Sequence, residues 1–345
     1  MKRLKRNPAK FETLALFSAL ARDQEYSFKD KETSRKFINK LGTEFFRAKS
    51  RPTILHGFRT QAMFECLIAS LGKCAVLKQE DSGEIYATDT SLKAPDLRLV
   101  LDDGQEFFVE VKNYYQSDPM ASYTFKPRYL NGLRQYAKLF NRDLKIAIYW
   151  AKWNTWTLVP EAKIKSGGVS FSISMHEAKM ANEMSTLGDY MVGTKTPLAI
   201  KLFADRNKPR FVSDDGKVHF ITGKIELYCG DTRIDDSFEK KLAFYLMLFG
   251  NWPSEGPIYE SEANNKPVAI EYRSQPNKTM PKQGFEIVGD LSSMFSTYYN
   301  MITAPDGDVE KISPKQAPSS MGIIIPRDYK GKYLPLWRFV TKPKK

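Results

Sequence analysis

The chain has 345 residues, 42% hydrophobic and 13% aromatic, enough for one large domain or two ordinary ones and unlike a disordered composition. Its net charge of +13 favours a polyanionic partner, either nucleic acid or an anionic membrane surface. No apolar run approaches the roughly 20 residues that span a bilayer. The basic start MKRLKRNPAK, followed by FETLALFSALARDQEY, reads as an amphipathic helix and not as a signal peptide. Three cysteines, Cys66, Cys74 and Cys229, give no disulfide framework and point to a reducing, cytoplasmic setting. His56, His176 and His219 are scattered, and no Cys/His group has zinc spacing, so a metal here would sit on carboxylates.

In chain order, apolar residues at helical spacing predict helices over 9–23, 32–48 and 57–71. Strands are predicted over 74–80 and 84–88, then a hairpin of 95–102 and 106–113. A helix over 129–141, a buried strand over 145–151 and a strand over 153–159 ended by Pro160 follow. This order describes an α/β (α+β) fold with a mixed sheet flanked by helices. Gly167-Gly168 marks a boundary. Beyond it, 169–230 reads mostly as β with a helix-like stretch near 176–188. A helix over 236–250, a loop-heavy 251–283, a helix near 290–302 and a short strand near 322–326 complete a second α+β domain. The organisation is a helical segment (1–54), a core (55–165) and a C-terminal domain (166–345) for substrate recognition or partner binding.

The chemistry concentrates in APDLRLVLDDGQEFFVEVKNYY, residues 94–115. Leu97, Leu99 and Leu101 alternate along one strand, and Phe107, Val109 and Val111 along the other, so each set shares a face. Burying both sets together predicts Leu97 opposite Val111, Leu99 opposite Val109 and Leu101 opposite Phe107, with a loop of Asp103-Gly104-Gln105. Asp96 then faces Lys112, Arg98 faces Glu110, and Asp96, Glu110 and Lys112 share the second face. Cross-strand neighbours lie about 5 Å apart and diagonal ones, as Asp96 and Glu110 are in this register, about 7–8 Å apart, a separation at which two carboxylates can share one divalent cation. Mg²⁺ on oxygen ligands stabilises the charge that develops when water attacks a phosphodiester. Asp96, Glu110 and the Val111 carbonyl are the candidate ligands. Lys112 is a point charge able to position or acidify the attacking water.

Pro95-Asp96, thirteen intervening residues and Glu110-Val111-Lys112 resemble the PD-(D/E)xK, restriction-endonuclease-like nuclease superfamily. The resemblance covers about 55–160 and implies a mixed-sheet core, dependence on Mg²⁺ with Mn²⁺ as a substitute, and phosphodiester cleavage in nucleic acid. It also implies an acidic residue on the preceding helix, a place that Glu65 fits, with Gln61 one turn before it. The following helix would bring Arg134, Gln135 and Lys138 near the site, with Lys126 and Arg128 just before. DNA is the expected substrate ahead of RNA, in a restriction or defence setting, with no membrane, and with a homodimer or a partner protein. Alternatives on the same core are a Holliday-junction resolvase, a transposase subunit or an RNase. A non-catalytic nucleic-acid-binding protein is the rival from another class.

Plainer readings compete. The hairpin face could be an exposed one, with Glu110 paired to Arg98 and Lys112 to Asp96. Glu65 could be a helix-surface residue, and the basic ends MKRLKR and TKPKK solvated tails. Tyr114, Tyr115, Tyr123, Tyr129 and Tyr136 lie near Lys126 and Arg128 and suit either core packing or base stacking. The segment Pro305-Asp306-Gly307-Asp308-Val309-Glu310-Lys311 has similar letters without strands and reads as a turn.

Overall fold

The structure is a computed structural model that describes Met1 and residues 8–24, 26–280 and 282–343; the basic ends lie largely outside the described residues. Three helices come first: α1 (Pro8–Gln24), α2 (Lys31–Lys49) and α3 (Pro52–Leu71). Asp30 caps α2 by accepting from the Glu32 N–H at 2.9 Å. α3 opens on Pro52 and stops at Gly72, whose φ of 83° turns the chain into the sheet.

β1 (Cys74–Gln79), β2 (Leu97–Leu101), β3 (Glu106–Tyr114), β5 (Asp143–Trp150) and β6 (Thr155–Pro160) form a five-stranded sheet in the order β1-β2-β3-β5-β6. β4 (Ser122–Phe125) and α4 (Pro127–Leu139) make the crossover between β3 and β5, which pair in parallel; the other pairs are antiparallel. The sheet is therefore mixed and covered on both sides. Leu97, Leu99, Val109, Val111 and Ala147 pack one face against Met63, Phe64 and Leu67 of α3. Phe108, Ile146, Ile148 and Trp150 pack the other against Leu130, Leu133 and Tyr136 of α4. This is the alternation that period-two side chains impose on a strand buried on both faces.

The hairpin register differs from the expected one by two residues. Leu97 lies opposite Val109, Leu99 opposite Phe107 and Arg98 opposite Phe108. The loop is Asp102-Asp103-Gly104, closed by Leu101 N–H to Gln105 at 2.8 Å, with Gly104 at φ 85°. A two-residue slip leaves every side chain on its expected face, so apolar patterning could not resolve it; the turn did. Two predicted strands are absent. Residues 84–88 are irregular, and 322–326 are replaced by a strand at Leu336–Phe339. The expected loop-heavy 251–283 contains two eight-residue strands instead.

The irregular 80–96 segment is fastened over α4. Lys93 N–H donates to the Gly132 carbonyl at 3.3 Å, and Ser91 Oγ bonds Gln135 at 3.1 Å. A Cβ on Gly132 would stand 2.6 Å from the Ser91 carbonyl oxygen, which is why helix interior and loop can meet only at a glycine.

Either side of the turn at Gly167, β7 (Lys165–Ser166) and β8 (Phe171–Ser174) pair beside β4, and α5 (Met175–Met180) follows. β9 (Met191–Thr194), β10 (Leu198–Ala204), β11 (Arg210–Val212), β12 (Val218–Phe220), β13 (Thr222–Cys229), β14 (Thr232–Ile234), β15 (Ser254–Ser261), β16 (Pro267–Ser274), β17 (Glu286–Asp290) and β18 (Leu336–Phe339) build the remainder. β14-β13-β10-β16-β15 form an antiparallel sheet backed by α6 (Ser237–Phe249). α7 (Leu291–Thr303) joins the halves: Phe295 and Tyr299 lie in the same core as Phe64 and Leu67. Buried Arg59 of α3 donates to Thr303 at 2.9 Å and to Asn300. Asp189 takes the Ser292 N–H and Oγ at the start of α7, at 3.0 and 2.5 Å.

Gly132→Ala is expected to cost about 1–3 kcal/mol, because the new methyl must displace the Ser91 carbonyl. Chemical denaturation would measure the loss, and hydrogen exchange should rise within 80–96 while the β10–β16 sheet is unaffected.

Candidate active site

β2 begins only after Pro95, which has no N–H to give a ladder. At the fork thus formed, the Asp96 carbonyl faces β1 and accepts from Glu80 N–H at 3.0 Å. The Asp96 side chain faces β3, where Oδ2 accepts from Val111 N–H at 2.6 Å. Continuing the observed register one step sets Asp96 opposite Glu110, not opposite Lys112 as the sequence suggested. Glu110 lies mid-strand in β3 and points to the α4 face with a residue exposure of 1%. Lys112 follows on the same face, and its Nζ is ion-paired with Glu110 Oε1. Tyr129, in the first turn of α4, donates its hydroxyl to that same oxygen. Lys112 Nζ also donates to Tyr129 Oη at 3.3 Å and stands 4.9 Å over its ring.

Both partners thus converge on Oε1, and Glu110 Oε2 is buried with no hydrogen-bond partner among the described residues. Such an acceptor costs roughly 1–3 kcal/mol. The exposed ion-pair face considered from sequence is overturned: Arg98 pairs with Glu106, and Glu110 is buried.

Electrostatics mark the same place. Burial, then the charge of Glu110, pushes the Asp96 carboxyl up to about 7. Asp81, just past β1, is raised by burial and again by Glu110. Burial opposes the Lys112 ammonium, but Glu110, Tyr129 and Asp96 outweigh it and hold its pKa above the ordinary lysine value. The Tyr129 and Tyr123 hydroxyls are both raised, first by burial. Asp81, Tyr123 and Tyr129 are therefore neighbours of the site that motif reading did not assign. The signal for Tyr129 was its seat one turn into the helix that follows the hairpin.

The remaining predicted residues are dispersed. Glu65 sits on α3, which covers the opposite face of the sheet, and its Oε1 accepts from Gln79 at 2.8 Å. Gln61 lies one turn earlier on that helix. Arg134 pairs with Glu161 at 2.6 Å, Gln135 holds Ser91, and Lys138 is exposed toward the far end of α4. Lys126 and Arg128 come just before Tyr129 in sequence and are exposed. A cavity of about 380 Å³ lies at the C-terminal end of α4, lined by Arg134, Lys138, Arg142, Lys145, Glu161 and Glu183. It is about 13 Å along the helix from Tyr129. Its cations are largely neutralised, with Arg142 on Glu106 and Lys145 on Glu183, each at 2.7 Å.

Among the described residues no three His, Cys, Asp or Glu side chains group closely enough to form a metal cage. The donors at the fork are Asp96, the unpartnered Oε2 of Glu110 and the Val111 carbonyl, which lies on the same strand edge as the N–H held by Asp96. An all-oxygen set with two carboxylates suits a hard divalent ion that completes its shell with water or a phosphate.

No protein-family model matches this chain, and no curated protein matches it. Among solved structures it is similar to a Holliday junction resolvase of Archaeoglobus fulgidus, at 14% identity and a TM-score of 0.25. The match covers 30% of this chain and 82% of the resolvase. No helix among the described residues is long and apolar enough to cross a membrane.

A carboxyl whose pKa rises from 3.8 to about 7 on folding favours the fold below the lower value and loses that contribution as pH climbs through the upper one. Asp96→Asn keeps the acceptor for Val111 N–H without the charge. In chelator, the variant should gain on the order of 2 kcal/mol over wild type at pH 8 and little at pH 4. Melting curves across that range give the answer; equal gains at both ends would mean that Asp96 does not titrate as described.

Proposed function

We propose that this protein is a metal-dependent endonuclease hydrolysing phosphodiester bonds in DNA. The observation that carries the reading is Glu110. Its carboxylate is buried in the middle of a sheet on the strand beside Asp96, fixed at one oxygen by Lys112 and Tyr129, and left at the other without a hydrogen-bond partner among the described residues. A protein that needed only a stable sheet would fill this position with an apolar residue, since an unpartnered acceptor and a buried charge both count against folding.

Mg²⁺ or Mn²⁺ held by Asp96, Glu110 and the Val111 carbonyl would supply positive charge against the anion that builds up on phosphorus. The chain's own groups do the rest. Lys112 keeps its ammonium beside the carboxylates, placed to hold a water or a non-bridging phosphate oxygen. Tyr129 helps fix the Glu110 rotamer by holding Oε1, which leaves Oε2 unengaged. Asp96 remains aligned by Val111 N–H. Residues 166–345 serve recognition of substrate or partner on this reading, because the acidic groups on their sheet are engaged with one another's cations; Lys201, for example, holds Glu260 and Glu271, both at 2.7 Å. Cutting both strands of a duplex with one such site per chain calls for two copies.

Supercoiled plasmid with Mg²⁺ or Mn²⁺ is the direct assay. Wild type should nick or linearise it. Glu110→Gln and Lys112→Ala should lose about 10²-fold or more while still binding DNA in a mobility-shift assay. Tyr129→Phe should lose roughly tenfold, in kcat rather than KM, since it alters alignment and not substrate contact. If wild type binds DNA yet leaves plasmid, RNA and branched junctions uncut with either metal, the protein is a nucleic-acid-binding protein and the nuclease reading is withdrawn.

A further inference from the structure

Three residues beyond Lys112, β3 ends and the chain surfaces at Tyr115, which is 70% exposed. The Nζ of Lys152 stands 4.3 Å over its ring. Lys152 belongs to the tight turn Ala151–Trp153 that follows β5, and next to it Trp153 is 48% exposed. Trp153 differs in this from Trp150, Trp156 and Trp252, which are all buried.

The turn is held rigidly from behind. Asn154, in the left-handed region at φ 44°, accepts from Tyr149 Oη at 2.8 Å and donates to Thr297 at 2.8 Å and the Ser293 carbonyl at 3.1 Å. Tyr115 follows Tyr114, which packs edge-on against Trp150 and Tyr123. Two aromatic faces are thus presented to solvent on fixed backbone, at the C-terminal ends of the two parallel strands. Tyr115 is about 10 Å along the strand from Lys112.

Charge at this end differs from charge at the other. Arg134, Arg142 and Lys145, toward the C-terminal end of α4, each hold a carboxylate. Lys126, Arg128 and Lys152 are exposed, and among the described residues none of the three is ion-paired. A duplex offers phosphates but keeps its bases stacked; an unpaired strand offers both a base face and a phosphate. Only the second uses rings and cations together.

We infer that Tyr115, Lys152 and Trp153 form a stacking seat for unpaired nucleotides beside the carboxylate fork, so that the substrate presents a single-stranded segment, a flap, a gap or a frayed end. This deepens the nuclease reading and rests on it only for the word substrate, because the seat itself can be tested without cleavage.

The test uses the full chain in chelator, with a short oligothymidylate and a blunt duplex of matched length as probes. The oligothymidylate should quench the fluorescence of Trp153. Tyr115→Ala should weaken single-strand binding roughly 5- to 100-fold and leave duplex binding within about twofold. Trp153→Ala, followed by anisotropy of a labelled strand, should behave alike. Lys152→Ala should flatten the salt dependence by about one counterion. All three side chains are exposed, so unchanged melting temperatures will show that the variants fold. Absence of quenching, or equal weakening for both probes, overturns the seat and leaves the nuclease reading standing. Quenching and single-strand selectivity in a protein that cuts nothing would uphold the seat and remove the nuclease.

Discussion

Glu110 brings a carboxylate into the seam between a five-stranded sheet and α4, and most of what is distinctive in this half of the molecule is arranged around it. A buried carboxylate is tolerated only with a cation and hydrogen-bond donors at hand. Lys112 supplies the cation from the same strand and Tyr129 the donor from the helix, both at Oε1. α4 therefore starts where it must to bring Tyr129 over Glu110, with Pro127 opening its first turn. The loop before β2 must also return to the fork, which it does through Gly132 and the Glu80–Asp96 backbone bond. The unpartnered Oε2 is the part of this arrangement that folding alone does not explain.

The face chosen by each hairpin residue was readable from the sequence, because alternation of Leu97, Leu99 and Leu101 on one strand with that of Phe107, Val109 and Val111 on the other sets one burial pattern. The partner across the strand was not. Registers that differ by two residues bury the same side chains, and the choice rested on whether the three-residue loop began at Asp102 or Asp103. The consequence is chemical: Asp96 faces the carboxylate of Glu110 and not the ammonium of Lys112, so burial, the larger cause, is joined by the charge of Glu110 in raising its carboxyl to about 7. Lys112 meets Glu110 along its own strand, a contact that no cross-strand argument would find.

Glu65 shows a different limit. Its place on a helix before the core strands fitted the resemblance, but helical spacing does not say which face of a sheet the helix will cover. α3 packs on the face of Leu97 and Val109, whereas Glu110 points to α4. Tyr129 was visible only as one of five tyrosines near two cations. What separates it from Tyr115, exposed, or Tyr136, bonded to Glu80 at 2.9 Å, is position along α4 and β3, which is tertiary information. The C-terminal strands β15 and β16 were hidden by Pro, Asn and Ser for a related reason: an antiparallel strand with one solvent-facing side tolerates polar residues that propensity counts as loop.

The charges near the fork also bear on how a polyanion could approach it. Asp81, Asp96 and Glu110 are three carboxyl groups against one ammonium, Lys112, which leaves two negative charges when all are ionised. A phosphate would be repelled from that centre. One divalent cation cancels the excess, and holding the Asp96 proton to about 7 is how the metal-free site lowers the same repulsion within itself. Exposed ion pairs contribute at most about 1 kcal/mol each, so leaving Lys126, Arg128 and Lys152 without acidic partners among the described residues gives up little stability. The N-terminal end of α4 adds its own partial positive charge at the same place. On the proposed reading, nucleic acid is drawn to the rim by these unpaired cations. It can reach the carboxylates only once their excess charge has been matched, which ties cleavage to the metal without requiring binding to depend on it.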